Sequence, residues 1–217
     1  TMKQLGLTQE FLLCILGKNG KIPTLDMQKI LCTAASGVLE LLLDGVVELD
    51  GKKLSVVKDL PVEKGYLRPV FSFIERKQPV KIEKVIEDFS ITFTDKNITE
   101  LTSAIGDSLT EAGCVRKERG GLLGGKTVYI PDAEAVDGVV QNIRAELLEK
   151  GELSEDIIAL TALLHKSGDL SRYFSDYEKK DLKKRIKEIR ENPDNEEIRR
   201  VTDYVDALFM LFLVAIS

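Results

Sequence analysis

The segment Leu153–His165, LSEDIIALTALLH, constrains the fold more than any other stretch of the chain. Placed on a helix, Ile157, Ile158, Leu160, Ala162, Leu163 and Leu164 point in every direction around the axis. A helix that is apolar all round has to be wrapped by other elements, and this one is too short to span a bilayer. Ser154 supplies an N-cap, and Glu155 and Asp156 put negative charge at the positive end of the helix dipole. Gly168 marks the stop. The segment predicts the central post of a helical domain, and the remaining sequence must supply its wrapping.

That wrapping is legible from periodicity. Leu7–Leu16 predicts a first helix with Phe11, Leu12 and Ile15 on one side. From Thr24, as N-cap, to Leu43 the positions Met27, Ile30, Leu31, Ala34, Val38, Leu41 and Leu42 keep the helical period. Small residues from Ala34 to Gly37 let another helix approach closely. Asp50-Gly51 between two β-branched runs predicts a hairpin, with strands near Val46–Leu49 and Lys53–Val57. Asp59–Pro69 reads as a connector, and Val70–Arg76 and Ile82–Phe89 as short helices split by Gln78-Pro79. Asn97–Ala112 carries the stripe Ile98, Leu101, Ile105 and Leu109 and ends at Gly113. Cys114–Ile130 predicts a second hairpin with a glycine-rich tip. A long helix follows, bearing Val136, Val140, Ile143 and Leu147, and runs to Lys150-Gly151. Asp176–Glu191 is amphipathic, with Leu182, Ile186 and Ile189 inward and lysines outward. Pro193 separates it from a terminal helix with Val201, Tyr204, Val205, Leu208 and Phe209. No flexible linker interrupts this order. The expectation is one domain over residues 1–217, mostly α, a helical bundle around a central buried helix with two small β-hairpins.

Several function classes are disfavoured by simple counts. A chain 43% hydrophobic and 31% charged is a folded one, and its net charge of −5 gives no general attraction to nucleic acid or anionic membrane. Cys14, Cys32 and Cys114 are widely spaced without a CxxC pair, which points to a reducing, cytoplasmic compartment. His165 is the only histidine, so a zinc site is not expected; at a helix end it faces free carbonyls. The start of the chain is broken by Gln4, Thr8, Gln9 and Glu10 and does not read as a secretory signal. The apolar run Ala207–Ile216 is too short for a membrane span. No nucleophile or acid–base dyad is set up, so neither an enzyme nor a cofactor is expected.

The sharpest motif is Gly120-Gly121-Leu122-Leu123-Gly124-Gly125-Lys126-Thr127, which satisfies the P-loop pattern letter for letter. A P-loop needs a buried strand before it and a helix N-terminus after it, so that amides and dipole converge on phosphate. Here CVRKER is too charged for a central strand, and Val128-Tyr129-Ile130-Pro131 reads as a strand, so a hairpin tip is the better reading. In that hairpin Arg116, Lys117, Arg119 and Lys126 surround Leu122 and Leu123. Basic residues flanking an apolar tip suit an anionic membrane, where charges attract and leucines insert. They equally suit a wing on DNA phosphates, and Val70–Ile130 can be drawn as three helices plus a wing. The recognition helix of that alternative, Asn97–Ala112, carries Glu100, Asp107 and Glu111 and no basic residue, which disfavours nucleic acid. The helix Tyr177–Arg190 holds seven basic residues against three acidic ones, a pattern usual for a solvated face.

The order of segments carries a resemblance. Leu7, Thr8 and Glu10 in LTQEFLLCILGKNGKI precede a small-residue helix and then Glu40, Leu41, Leu43, Gly45, Val47 and Leu49 in LELLLDGVVELDGKKLSV. LTEAGCVRKER follows at a helix-to-hairpin junction, and DIIALTALLHKSGDLSRYF comes near the end. In this order the segments resemble the Golgi phosphoprotein 3 family over most of the chain, and the Lys/Glu/Ile-rich character points to a bacterial member. The resemblance implies a mostly helical domain with a hairpin used in oligomerisation and membrane contact. It implies a non-enzymatic peripheral membrane adaptor on the cytoplasmic face of a membrane. Its implied partners are phosphatidylinositol 4-phosphate or other anionic lipid, the cytosolic tails of membrane proteins, and a second copy of the chain through Cys114–Ile130. The family's headgroup pocket uses a tryptophan and an arginine on the second helix, where Leu25 and Ala34 stand here, and arginines on the helix before the hairpin, where Asn97–Ala112 has none. None of those pocket residues carries over.

Overall fold

The computed structural model describes residues 4–21, 26–90, 95–120, 125–192 and 196–215, with side chains up to 210. The helices are α1 (Leu7–Ile15), α2 (Met27–Leu43), α3 (Arg68–Lys77), α4 (Ile82–Ser90), α5 (Lys96–Glu111), α6 (Ala133–Ile143), α7 (Glu155–Lys166), α8 (Asp176–Glu191) and α9 (Glu196–Ala215). The strands are β1 (Val47–Asp50), β2 (Lys53–Val56), β3 (Val80–Lys81), β4 (Val115–Gly120) and β5 (Lys126–Pro131). The described residues are therefore mostly α with small antiparallel β-elements, as periodicity predicts. The first hairpin is extended by β3, which pairs antiparallel with β2 through Leu54 and Val80 to give the order β1-β2-β3. A two-residue strand has no alternation to read, so its existence depends on the partner alone. The connector 59–69 contains a 3₁₀ turn, Val62–Leu67, that leads directly into α3.

The predicted post is α7, capped by Ser154 accepting from the Ile157 amide at 3.3 Å and followed by Gly168 at φ +82°. Ile157, Ile158, Ala159, Leu160, Leu163 and Leu164 are all buried against α1, α2, α6 and α9. It shares the centre with α1, which is more enclosed: from Leu7 to Leu16 only Glu10 keeps partial solvent access. Within that helix the Thr8 amide and the Gln9 side chain find partners, while Thr8 Oγ1 is buried without a hydrogen bond. Glu40 Oε2 accepts from the Thr8 amide at 2.8 Å, and Gln9 accepts from the Gly6 amide at 2.9 Å while donating to Ser108 Oγ at 3.0 Å. In α2 every residue from Leu31 to Leu43 is buried. Its N-cap is Asp26, which accepts from the Lys29 amide, and the predicted cap Thr24 lies outside the described residues.

Two buried carboxylates tie this inner layer together. Glu40, 1% exposed, accepts from Tyr66 Oη at 2.6 Å and Lys64 Nζ at 2.5 Å as well as from Thr8. Asp169, fully buried, accepts from Lys29 Nζ at 2.5 Å, Ser167 Oγ at 2.8 Å and Arg172 Nη1 at 3.1 Å. The same guanidinium donates to the carbonyls of Cys14, Ile15 and Leu16, closing the C-terminus of α1. The segment SGDLSR is thus a clamp between α1, α2 and α7. Among the described residues no helix is long and apolar enough to cross a membrane.

Candidate functional site

The β4–β5 hairpin grows out of α5 through Gly113 at φ +75°, a left-handed turn that suits glycine. Its root is fixed by Tyr129. The Tyr129 ring lies so close to Gly106 of α5 that a Cβ there would sit 2.6 Å from Cζ. Its hydroxyl donates to Asp107 Oδ1 at 2.9 Å, and its amide donates to the Gly20 carbonyl at 2.9 Å. Burial, followed by Asp107, pushes the phenol up to about 12, so it remains a donor at neutral pH.

The register decides how the basic residues are displayed. Arg116 faces Ile130, Lys117 faces Tyr129, Arg119 faces Thr127 and Gly120 faces Lys126. Side chains alternate along a strand, so Arg116 and Lys126 share one face while Lys117 and Arg119 share the other. Arg116 Nε lies 2.5 Å from Glu118 Oε1, and Lys117 Nζ lies 2.6 Å from Asp107 Oδ1. Arg119 and Lys126 are exposed and have no ion pair among the described residues. The four basic residues thus present two uncompensated charges, one on each face. Leu122 and Leu123 lie outside the described residues.

The same register bears on the two other readings. Lys126 and Thr127 are in β5, antiparallel to β4, and no helix begins at Thr127, so the strand–loop–helix cradle of a P-loop is not formed. The order α3-β3-α4-α5-β4-β5 matches the winged-helix drawing, but β3 pairs with β2 and not with the second hairpin. Helix α5 starts one residue earlier than expected, at Lys96, whose ammonium lies near Glu100 at 3.9 Å.

A family model described as Golgi phosphoprotein 3 (GPP34) matches residues 7–207. The chain belongs to the Golgi phosphoprotein 3 family. Comparison with curated proteins gives no match. The matched span takes in the inner layer, both β-elements and most of α9. At the position where the family resemblance expects an arginine on the second helix, Ala34 is 1% exposed inside the bundle, and Leu25 lies outside the described residues.

A second basic surface lies at the far end of this Golgi phosphoprotein 3 domain. Between α7, α8 and α9 is a cavity of about 380 Å³ with Ile158, Ala162, Ile186, Val205 and Phe209 in its wall. Beside it is a more polar cavity of about 430 Å³ lined by Lys179, Lys180 and Lys183. His165, Leu170 and Lys183 border both. His165 lies in the last turn of α7, as expected, and burial together with Lys183, Lys166 and Lys179 pushes its pKa below the ordinary histidine value. The charge excess of α8 was visible in the sequence. Its juxtaposition with α7 and α9 needs the fold.

Proposed function

We propose that this protein is a non-enzymatic peripheral membrane adaptor of the Golgi phosphoprotein 3 type, acting at the cytoplasmic face of an anionic membrane. The observation that supports the reading is the β4–β5 arm, whose exposed basic strand is rooted in α5 by Tyr129. Arg119 and Lys126 provide the free charge, Arg116 and Lys117 exchange their intramolecular partners for lipid, and Leu122 and Leu123 insert. Two free charges near an anionic surface contribute about 2 kcal/mol. Such an arm binds weakly alone, so stable attachment rests on insertion of the tip and on a second copy of the chain joined through the same hairpin. The mechanism is general attraction to anionic lipid, with phosphatidylinositol 4-phosphate bound as one such lipid and cytosolic tails of membrane proteins as cargo.

Liposome co-sedimentation tests this with neutral, phosphatidylglycerol-rich and phosphatidylinositol 4-phosphate-doped vesicles. The protein is expected to sediment with both anionic preparations, to be released by salt, and to lose binding in Leu122→Ser/Leu123→Ser and Arg119→Ala/Lys126→Ala variants. Absence of sedimentation with every anionic vesicle refutes it.

A further inference from the structure

Helix α8 has a net positive charge, but most of its cations are already compensated. Lys184 and Arg185 lie near Glu188, Lys187 lies near Glu191, and Arg190 pairs with Asp206 of α9. Lys179 is held by Asp176 at 2.8 Å and donates to Ser171 Oγ at 2.8 Å. Lys180 and Lys183, one turn apart, have neither a hydrogen bond nor an ion pair among the described residues. Lys183 borders both the apolar cavity between α7, α8 and α9 and the polar cavity beside it, and Lys180 lines the polar one. Lys166 stands on the opposite wall, its ammonium 5.2 Å from the Phe209 ring centre.

We propose that this groove binds the monomer of a single-chain anionic lipid, its acyl chain seated on Ile158, Ala162, Ile186 and Val205 and its phosphate held by Lys180 and Lys183. The cavity volume lies in the range of small-molecule pockets, and its lining combines an apolar wall with a few convergent polar groups. Charge complementarity selects the head: uncompensated ammonium groups at an apolar mouth need an anion, and phosphate satisfies both. Burial, and after it the ammonium groups of Lys183, Lys166 and Lys179, favour the neutral state of His165 beside that groove. An amphiphile meets both halves of the site at once, whereas free phosphate leaves the apolar wall uncovered. The proposal is independent of membrane docking by the hairpin, because it concerns a dissolved lipid monomer.

Calorimetry with dodecanoyl lysophosphatidic acid below its micelle concentration tests it. Each methylene seated raises affinity about fourfold, so the octanoyl analogue should bind on the order of a hundredfold more weakly. 1-Dodecanoylglycerol, which lacks the phosphate, should bind at least tenfold more weakly, and glycerol phosphate should not bind. Lys180→Ala/Lys183→Ala removes two exposed charges without touching the core. It should lose at least tenfold for the anionic lipid and leave 1-dodecanoylglycerol unchanged. Ala162→Phe fills the groove and should lower affinity for both. Absence of binding by the intact protein overturns the proposal, as does indifference to chain length or headgroup. Capture of an acidic amphipathic peptide that the lysophosphatidic acid fails to displace also overturns it, in favour of a protein ligand.

Discussion

Glu10 makes the stability of this protein sensitive to alkaline pH. It sits in the first turn of α1, the most enclosed helix, and has no hydrogen-bond donor among the described residues. Burial pushes its carboxyl from 4.5 up to about 8, and the negative charges of Asp156, Glu40 and Glu146 add to the shift. Because the folded value lies above the unfolded one, the folded chain retains a proton that the unfolded chain releases. Its contribution is complete below the unfolded value and is lost as pH rises through about 8. Between about pH 6 and about pH 9 a carboxyl with these two values loses at most roughly 3 kcal/mol. Partial solvent access screens that figure to about 1–1.5 kcal/mol. Urea unfolding of the native protein and of Glu10→Gln at both pH values isolates the effect. Groups remote from Glu10 cancel in the difference between the two proteins. The variant should gain about 1–1.5 kcal/mol relative to the native protein on going to the higher pH. Parallel losses in the two proteins would refute the assignment of the charge penalty to Glu10.

Asp169→Ala leaves the ammonium of Lys29 and the guanidinium of Arg172 without their buried carboxylate, and chemical denaturation should find a loss of about 3–5 kcal/mol. Gly106→Ala drives a methyl into the Tyr129 ring; it should cost about 1–3 kcal/mol and speed hydrogen exchange at the Tyr129 amide, while leaving exchange in α8 unchanged. Cys14 and Cys32, whose thiols burial pushes up to about 12, should resist iodoacetamide in the folded protein and label fully once it is denatured, as mass spectrometry would record.

What could be read ahead of the structure follows from where each feature's partners lie. The turn at Asp50-Gly51 and the bounds of α8 are decided by neighbouring residues, and α8 runs over Asp176–Glu191 as its period predicts. The partner of β3 lies on β2, more than twenty positions earlier in the chain, so two residues of sequence carry no trace of it. The burial of α1 was obscured for a related reason. Thr8, Gln9 and Glu10 give its face a polar look, and Glu40 and Ser108, brought from α2 and α5, take up the Thr8 amide and the Gln9 side chain inside. The basic segments show the same division. Composition reveals the lysines of α8 and the arginines of β4, but what each can bind depends on which charges remain after internal pairing. Within α8 the four-residue spacing of Lys184 to Glu188 and Lys187 to Glu191 already foretells part of that cancellation. Asp107 opposite Lys117 and Asp206 opposite Arg190 come from other helices and complete it. Within the β4–β5 hairpin and α8, a small set of exposed cations survives the pairing. Arg119 and Lys126 lie on the β4–β5 hairpin, and Lys180 and Lys183 line the polar cavity beside an apolar groove. The first placement suits a surface and the second a single molecule. The two proposals therefore predict that hairpin variants change membrane binding and groove variants change lipid-monomer binding, each without the other.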